Sequence, residues 1–144
     1  MSFAPALFLI AITQQQVNKD VENSLRSFVQ ATLAFDAASL EKLVDKEYTE
    51  VSPLGEVDPH DKFLSYYRVP KDQQVRQPKL FTLSEMNLKF PTRDFAVAIY
   101  LEKLNFGTEQ APREMSVRVT TTLKKVKGKW LLFSNHYTGI RPKQ

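Results

Sequence analysis

The sequence predicts one α+β domain in which N-terminal helices pack on a curved antiparallel sheet. In the first quarter of the chain the apolar residues recur every fourth position, as in a helix. From residue 80 onward the pattern shifts to short apolar runs and partial alternation, as in successive strands. Helices followed by a run of strands are typical of the α+β class. The 144 residues, 42% hydrophobic and 25% charged, are enough for one core and unlike a disordered chain.

Residues 1–13 are predicted to form an apolar arm ahead of the domain, which covers residues 14–144. The apolar stretch 3–12 is too short to cross a bilayer, which takes about 20 apolar residues. It resembles the apolar region of a secretory signal, but no Lys or Arg precedes it and a clear cleavage site is lacking. Two interpretations stay open, a truncated signal segment or an arm that packs on the domain. The compartment is not determined; the cytoplasm is favoured unless the stretch is a truncated signal, which would mean export. No stable membrane insertion is expected.

Helical periodicity dominates residues 14–35. The stripe consists of Val17, Val21, Leu25, Val29 and Leu33, widened by Phe28. This is the pattern of an amphipathic helix with one buried side. Asp36 is the predicted N-cap of a short second helix. Asp58 and Pro59 predict a third helix over residues 59–67, with Asp as the cap and Pro in the first helical position.

Strands account for most of the remaining chain. A short strand over residues 48–51 precedes a turn at residues 52–55. Four further strands are predicted at residues 80–90, 95–101, 116–125 and 130–138. The nearly continuous apolar run at 95–101 is the pattern of a strand covered on both faces. Lys127 and Gly128 form the predicted hairpin turn between the last two strands.

Composition excludes several kinds of chemistry. There is no cysteine, so disulfides, thiolate metal sites and cysteine nucleophiles are ruled out. The two histidines, His60 and His136, show no metal-ligand spacing, and no glycine-rich phosphate loop is present. We therefore expect no metal and no cofactor. The net charge of +4 includes lysines beside the predicted Lys127–Gly128 turn, which we interpret as a solvated hairpin end because no aromatic residues alternate with them. No nucleic-acid partner is expected.

Several short motifs resemble the nuclear transport factor 2-like superfamily. They are VRVT (117–120), KGKW (127–130) and NHYTG (135–139), preceded by AFDAASLEKL (34–43), YTEV (48–51) and GEV (55–57). Over residues 17–142 the chain is most similar to the SnoaL-like branch of unknown function and to the association domain of calcium/calmodulin-dependent kinase II. The resemblance implies a cystatin-like cone, a curved antiparallel sheet around the long helix, and a homodimer formed through the sheet. Members include isomerases, dehydratases and proteins without catalytic activity, so the fold leaves the function open.

The last two strands supply the main candidate site residues. Alternation puts Trp130, Leu132, Ser134, His136 and Thr138 on one face, and the first two residues suggest that this is the concave face. His136 would then lie near the pocket mouth as a general acid, general base or hydrogen-bond donor; a structural histidine is the alternative. Arg118 shares a face with Thr120 on the preceding strand. If this face is the inner one, Arg118 would bind a carboxylate or phosphate; otherwise it is a surface arginine. The kinase association domain has an arginine inside at this point, which favours the pocket.

Other polar candidates come from the first strand and from the tyrosines. Glu50 is the best candidate acid for proton transfer, because the remaining acids are more simply explained as caps or turn residues. Tyr48, Tyr67 and Tyr100 can supply hydroxyls to a pocket, although tyrosines are more often core residues with a satisfied oxygen.

Three functions are compatible with these residues. The first is a small-molecule-binding domain with a concave pocket lined by Arg118 and His136, for a partly apolar ligand that carries an anionic group if Arg118 binds it. The second is an acid–base lyase or isomerase that uses His136 with Glu50 or a tyrosine. A buried acid bonded to His136 would support it, and an isolated His136 would count against it. The third is an oligomerisation module that associates through the outer sheet face.

Overall fold

A computed structural model describes residues 4–75, 77–78 and 80–141, with side chains from residue 14 onward. The elements in chain order are α1 (Ala4–Leu33), α2 (Ala37–Leu43), β1 (Val44–Val51), β2 (Val57–Pro59), α3 (His60–Ser65), β3 (Leu80–Thr92), β4 (Phe95–Asn105), β5 (Glu114–Val126) and β6 (Lys129–Gly139). The predicted α+β class, with helices first and a run of strands afterwards, is confirmed.

The strands form one six-stranded sheet in the order β2-β1-β6-β5-β4-β3. Strands β3 to β6 are joined as an antiparallel meander, as predicted. β1 lies parallel to β6, so the sheet as a whole is mixed. This pairing is possible because the long connection from β1 through β2, α3 and strands β3 to β5 brings β6 alongside β1 in the same direction.

The long helix packs its predicted stripe against the sheet. Val21 and Leu25 are fully buried, and Phe28 stacks on Phe63 of α3 with 5.8 Å between ring centroids. The Asp36 carboxylate accepts the backbone N–H of Ser39 at 3.0 Å, which confirms Asp36 as the N-cap of α2. The helices and the sheet therefore enclose one core.

The N-terminal stretch differs in one respect from its predicted boundary. α1 begins at Ala4 rather than near residue 14, so the backbone of the apolar stretch continues the helix. Residues 1–3 lie outside the described residues. Whether residues 1–13 are a signal remnant or a packed arm stays a prediction. Among the described helices, none combines the length and apolar character needed to cross a membrane.

The third helix is shorter than predicted. It begins at His60, and Pro59 is its N-cap without any side-chain capping bond. Asp58 is not the cap: it lies in β2, is 3% exposed, and its carboxylate pairs with the Lys62 ammonium at 2.6 Å. A buried carboxylate needs such a partner, which explains why Asp58 turns away from the helix end.

β-Bulges in β6 and β3 determine which residues of the meander face the core. In β6, Leu132 lies opposite Leu123 and Ser134 lies opposite Thr122, so Phe133 is an extra residue. In β3, Glu85 and its neighbour Met86 together oppose one residue of β4, and Glu85 adopts a left-handed φ of 52°. An extra residue reverses the alternation beyond it, so each bulge exchanges the inner and outer faces for the residues that follow it. In β3 this holds as far as a further register shift between Lys89 and Thr92.

The outer face of the sheet is less covered than expected. In β4, Ala96, Ala98 and Tyr100 are buried against the helices, whereas Val97 and Ile99 on the other face are partly exposed. The prediction that this strand is covered on both faces is therefore not met in the single chain.

Candidate functional site

A cavity of about 640 Å³ opens at one end of the concave face. It lies between the end of α1, the segment that follows α3, and the ends of β4, β5 and β6. Apolar side chains form much of its wall, among them Leu33, Phe35, Val69, Leu104 and Val117. Its volume lies within the range of roughly 300–1,000 Å³ that is usual for small-molecule sites.

A second depression, of about 760 Å³, lies between the hairpin tips at the other end of the sheet. Its lining includes the basic residues Arg93, Lys125 and Lys127, and none of its described lining side chains is a buried polar group. We therefore consider the first cavity the stronger candidate for specific chemistry.

Glu50 and Glu102 are the charged side chains in the wall of the 640 Å³ cavity, counted over the lining residues that the structure describes. Glu50 Oε2 accepts a hydrogen bond from the hydroxyl of Tyr48 at 2.8 Å. Glu102 is only 6% exposed, and its Oε2 has no hydrogen-bond partner among the described residues. The polar end of the cavity is thus acidic.

Burial changes the acidity of both carboxyls. It raises the pKa of Glu50 to about 7, against the opposing effect of the Tyr48 hydrogen bond and with a smaller contribution from the charge of Asp58. Burial also raises the pKa of Glu102 to about 7, and the negative charge of Glu50 adds to this shift. Such carboxyls exchange protons near neutral pH, and because they interact they titrate as a pair.

A chain of hydrogen bonds crosses β4, β5 and β6 behind the cavity. The hydroxyls of Tyr100 and Thr121 lie 3.2 Å apart, and Thr121 donates to Asn135 Oδ1 at 2.5 Å. Asn135 Nδ2 then donates to the hydroxyl oxygen of Tyr137 at 3.2 Å. Tyr137 lines the cavity, and because its oxygen accepts from Asn135 its own proton is left for a further acceptor.

Some predicted site residues belong to this end of the molecule. Glu50 and Tyr67 line the cavity directly. Tyr48 and Tyr100 are buried behind it, where Tyr48 holds Glu50 and Tyr100 joins the hydrogen-bond chain. Burial raises the pKa of both Tyr48 and Tyr100, so their hydroxyls are neutral over the physiological range.

The predicted placement of Arg118, Thr120 and His136 in the pocket is corrected. Thr120 and His136 lie opposite each other and are exposed, on the outer face of the sheet. Arg118 is on the same face, where its guanidinium pairs with the Glu85 carboxylate at 2.6 Å. On β5 the apolar neighbours of Arg118 occupy the inner face, and on β6 the bulge at Phe133 turns His136 outward.

The predicted placement of Trp130 is also corrected in part. It is 4% exposed and faces the core, as the alternation predicts. However, it packs against Phe90, 6.0 Å between ring centroids, and under the Lys125 ammonium, and it is not part of the cavity wall. Trp130 therefore lies towards the other end of the concave face, near the second depression.

Among the lining residues that sequence reasoning missed are Glu102 and Tyr137, which carry polar groups. Glu102 directly follows the apolar run 95–101, and an acid that continues a buried strand is a signal that could have identified it. Tyr137 was missed because alternation without a bulge assigns His136, and not its neighbour, to the inner face.

Comparison with known proteins gives matches in structure only. No protein-family model matches the chain, and no curated protein matches its sequence.

Solved structures match nearly the whole domain. The association domain of C. elegans CaMKII has a TM-score of 0.75 at 16% identity, covering 88% of this chain and 98% of that one. An NTF2-like protein of unknown function in nutrient uptake from Rhodospirillum rubrum has a TM-score of 0.70 at 19% identity, over 84% and 98% of the two chains. An uncharacterised protein with a cystatin-like fold from Caulobacter vibrioides has a TM-score of 0.70 at 12% identity, over 87% and 90%. Sequence identities this low support a shared fold and do not indicate a shared function. The chain therefore has the NTF2-like, cystatin-like fold that its closing motifs predict.

Proposed function

We propose that this protein is a small-molecule-binding domain whose ligand occupies the cavity between α1 and the concave ends of β4, β5 and β6. The observation that carries the proposal is a 640 Å³ cavity with apolar walls and two carboxyls at its polar end, the part-buried Glu50 and the buried Glu102. Apolar walls with a few polar groups at one end are the usual composition of a small-molecule site.

The proposed ligand is a partly apolar molecule with a polar end that donates hydrogen bonds. An anionic ligand was expected only because Arg118 was assigned to the pocket. Arg118 lies instead on the outer face in an ion pair with Glu85. In their ionised form Glu50 and Glu102 would repel an anion, and no basic group lines the cavity among the described residues, so the anionic option is not carried forward.

A thermal-shift screen with two tryptophan variants tests the proposal. The panel consists of small aromatic alcohols, amines and carboxylates. Leu104→Trp fills the cavity wall, and Thr120→Trp adds the same side chain to the outer face of the neighbouring strand. A ligand present at 100 times its dissociation constant adds about 2.7 kcal/mol of apparent stability. We expect stabilisation of the parent and of Thr120→Trp but not of Leu104→Trp. Equal stabilisation of all three proteins would place the ligand elsewhere.

Acid–base catalysis is a second candidate function, and it now rests on Glu50 and Glu102. The His136 imidazole is exposed and has no hydrogen bond or ion pair to another described side chain, which counts against its proposed catalytic role. Two carboxyls in one cavity wall whose pKa values are raised to about 7 are suited to moving a proton near neutral pH. Once a ligand is found, proton NMR in D₂O would test this candidate. A lyase or isomerase of this kind would exchange a carbon-bound hydrogen of the ligand, and Glu50→Gln would stop the exchange while His136→Ala would not.

Association through the outer face of the sheet is the third candidate. Val97 and Ile99 are apolar and partly exposed on that face of β4, and the similar C. elegans domain is named for association. A homodimer through the sheet would cover them. Light scattering should then give twice the monomer mass for the parent and the monomer mass for Ile99→Glu. A monomeric parent at 100 μM would exclude a stable dimer.

A further inference from the structure

We propose that the cavity binds an organic cation, an amine or quaternary ammonium group on an apolar body, with its charge next to Glu50 and Glu102. The inference rests on the proposed binding function and names the class of ligand. It goes beyond the binding proposal because an apolar cavity alone does not select a charge.

The first argument is the unpaired carboxyl oxygen of Glu102. Glu102 lines the cavity and is only 6% exposed to solvent. Its Oε2 has no hydrogen-bond partner among the described residues. A buried acceptor without a partner costs about 1–3 kcal/mol, and more if it is charged. A cation or an N–H donor in the cavity would remove this cost.

The second argument is the charge balance around the two acids. The described lining contains no Lys, Arg or His. Lys62, which is close in sequence to the lining, is engaged with Asp58 at 2.6 Å, and Arg68 pairs with Glu41 at 3.3 Å. Within the described part of the chain, the carboxyls therefore have no basic group to neutralise them.

The third argument is the aromatic character of the same wall. Phe35, Tyr66, Tyr67 and Tyr137 all line the cavity. The face of an aromatic ring attracts a cation, by about 0.5–1 kcal/mol at an exposed site and about 2 kcal/mol when water is excluded. Acids combined with several aromatic rings favour an organic cation over a neutral ligand or a hydrated metal ion.

Binding of a cation of constant charge should depend on pH. Among the described residues, the following ionisable groups face the cavity or lie directly behind it: Glu50 and Tyr48 of β1, Glu102 and Tyr100 of β4, Tyr137 of β6, and Tyr66 and Tyr67 after α3, with Asp58 of β2 nearby. Burial raises the pKa of Tyr48, Tyr67, Tyr100 and Tyr137, so these four stay neutral. Glu50 and Glu102 gain negative charge as the pH rises through about 7. A quaternary ammonium ligand should therefore bind more tightly at pH 8 than at pH 6 and release protons on binding.

Isothermal titration calorimetry with three matched probes tests the inference. The probes are benzyltrimethylammonium, benzyl alcohol and phenylacetate, which share a benzyl body and differ in charge. At pH 8 we expect the cation to bind at least about tenfold more tightly than the alcohol, and phenylacetate to bind least. Lowering the pH to 6 should weaken binding of the cation and leave the affinity for the alcohol unchanged.

Variants locate the effect. Glu102→Gln should weaken binding of the cation about tenfold or more without changing the affinity for the alcohol. Glu50→Gln should also weaken binding of the cation. Glu85→Gln removes an acid of the outer face and should leave all three probes unchanged.

The outcomes separate the two claims. If benzyl alcohol or phenylacetate binds the parent at pH 8 as tightly as the cation, the cavity binds ligands but the cation inference is wrong. If no probe binds at concentrations up to about 10 mM, the inference and the proposed binding function both fail. The pH comparison uses the parent protein alone, so it decides the question even if a variant does not fold.

Discussion

The two faces of β5 and β6 carry polar residues in very different surroundings. On the inner face, Thr121 and Asn135 are at most 1% exposed and are hydrogen-bonded to each other and to tyrosines. On the outer face, Thr120 and His136 are exposed to solvent. The inner side chains are held in one conformation by their hydrogen-bond partners, whereas the exposed outer side chains can change rotamer. Chemistry that needs a fixed group is therefore expected on the inner face.

One residue produces this difference. The bulge at Phe133 shifts β6 by one position against β5, so Asn135 and Tyr137 face inward and His136 faces outward. Without it, Ser134 and His136 would occupy the core. The residue types along a strand therefore do not determine which side chains face the cavity until the pairing of the strand, with its bulges, is known.

The largest expected effect is on packing of the inner face. Leu132 is fully buried, and its neighbour Leu131 points to the outer face and is partly exposed. Leu132→Ala should lower the free energy of unfolding by about 2–5 kcal/mol, because it removes buried methyl groups and leaves a cavity. Leu131→Ala should cost about 1 kcal/mol or less. Urea unfolding measures both, and equal losses would show that the two faces are equally covered.

The next effect concerns the buried acid of the cavity. The pKa of Glu102 is about 7 in the folded protein and near 4.5 when unfolded, so the folded state holds more protons between these values. Stability from this group is complete below pH 4.5 and falls as the pH rises to about 7, by about 1.4 kcal/mol for each unit of pKa difference. Glu102→Gln should therefore be more stable than the parent at pH 8 and lose less stability between pH 5 and 8. Urea unfolding as a function of pH measures this, and an identical pH profile in parent and variant would contradict it.

A comparable loss is expected when the inner hydrogen-bond chain is cut. Asn135→Ala removes the partner of both Thr121 and Tyr137 and leaves buried polar groups unpaired. The expected loss of unfolding free energy is about 1–3 kcal/mol. His136→Ala, one residue along, should change it by less than about 0.5 kcal/mol. A larger loss for His136→Ala than for Asn135→Ala would mean that the faces are assigned the wrong way round.

The smallest effect concerns the turn that sets the β5–β6 register. Gly128 has a φ of 80°, which lies in the left-handed region, and an added Cβ would meet no atom within 4 Å. Gly128→Ala should therefore cost about 1 kcal/mol from backbone conformation alone. Gly139→Ala, at the other end of β6 and also in open space, should be near neutral. Thermal unfolding measures the difference between the two variants. Equal melting temperatures would contradict the claim that an alanine at residue 128 strains the backbone.

The sequence predicts the fold well because periodicity and turn residues are local signals. The helical stripe around Leu25, the N-cap at Asp36 and the hairpin turn at Lys127–Gly128 all lie where they are expected. The short β2 and the early end of α3 were missed. Asp58 fits a helix cap in sequence, and its pairing with Lys62 is a tertiary contact.

The site is predicted less well for a physical reason. Glu50 was identified because the other acids fit caps or turns, and Tyr48 and Tyr67 because a tyrosine hydroxyl can serve a pocket. Glu50 and Tyr67 line the cavity, and Tyr48 donates to Glu50. Arg118 and His136 were assigned to the wrong face, because a bulge depends on strand pairing and leaves no fixed mark in the sequence.

The central claim is that the concave face ends in two interacting carboxyls, and carboxyl-carbon NMR of protein labelled at glutamate tests it most directly. Titration from pH 3 to 9 should show two glutamate resonances with midpoints near 7, one lost in Glu50→Gln and the other in Glu102→Gln. Removing either acid should also lower the midpoint of the one that remains, because their charges repel each other. If every glutamate titrates near its ordinary value of about 4.3, the carboxyls are solvated and the account of the site is wrong.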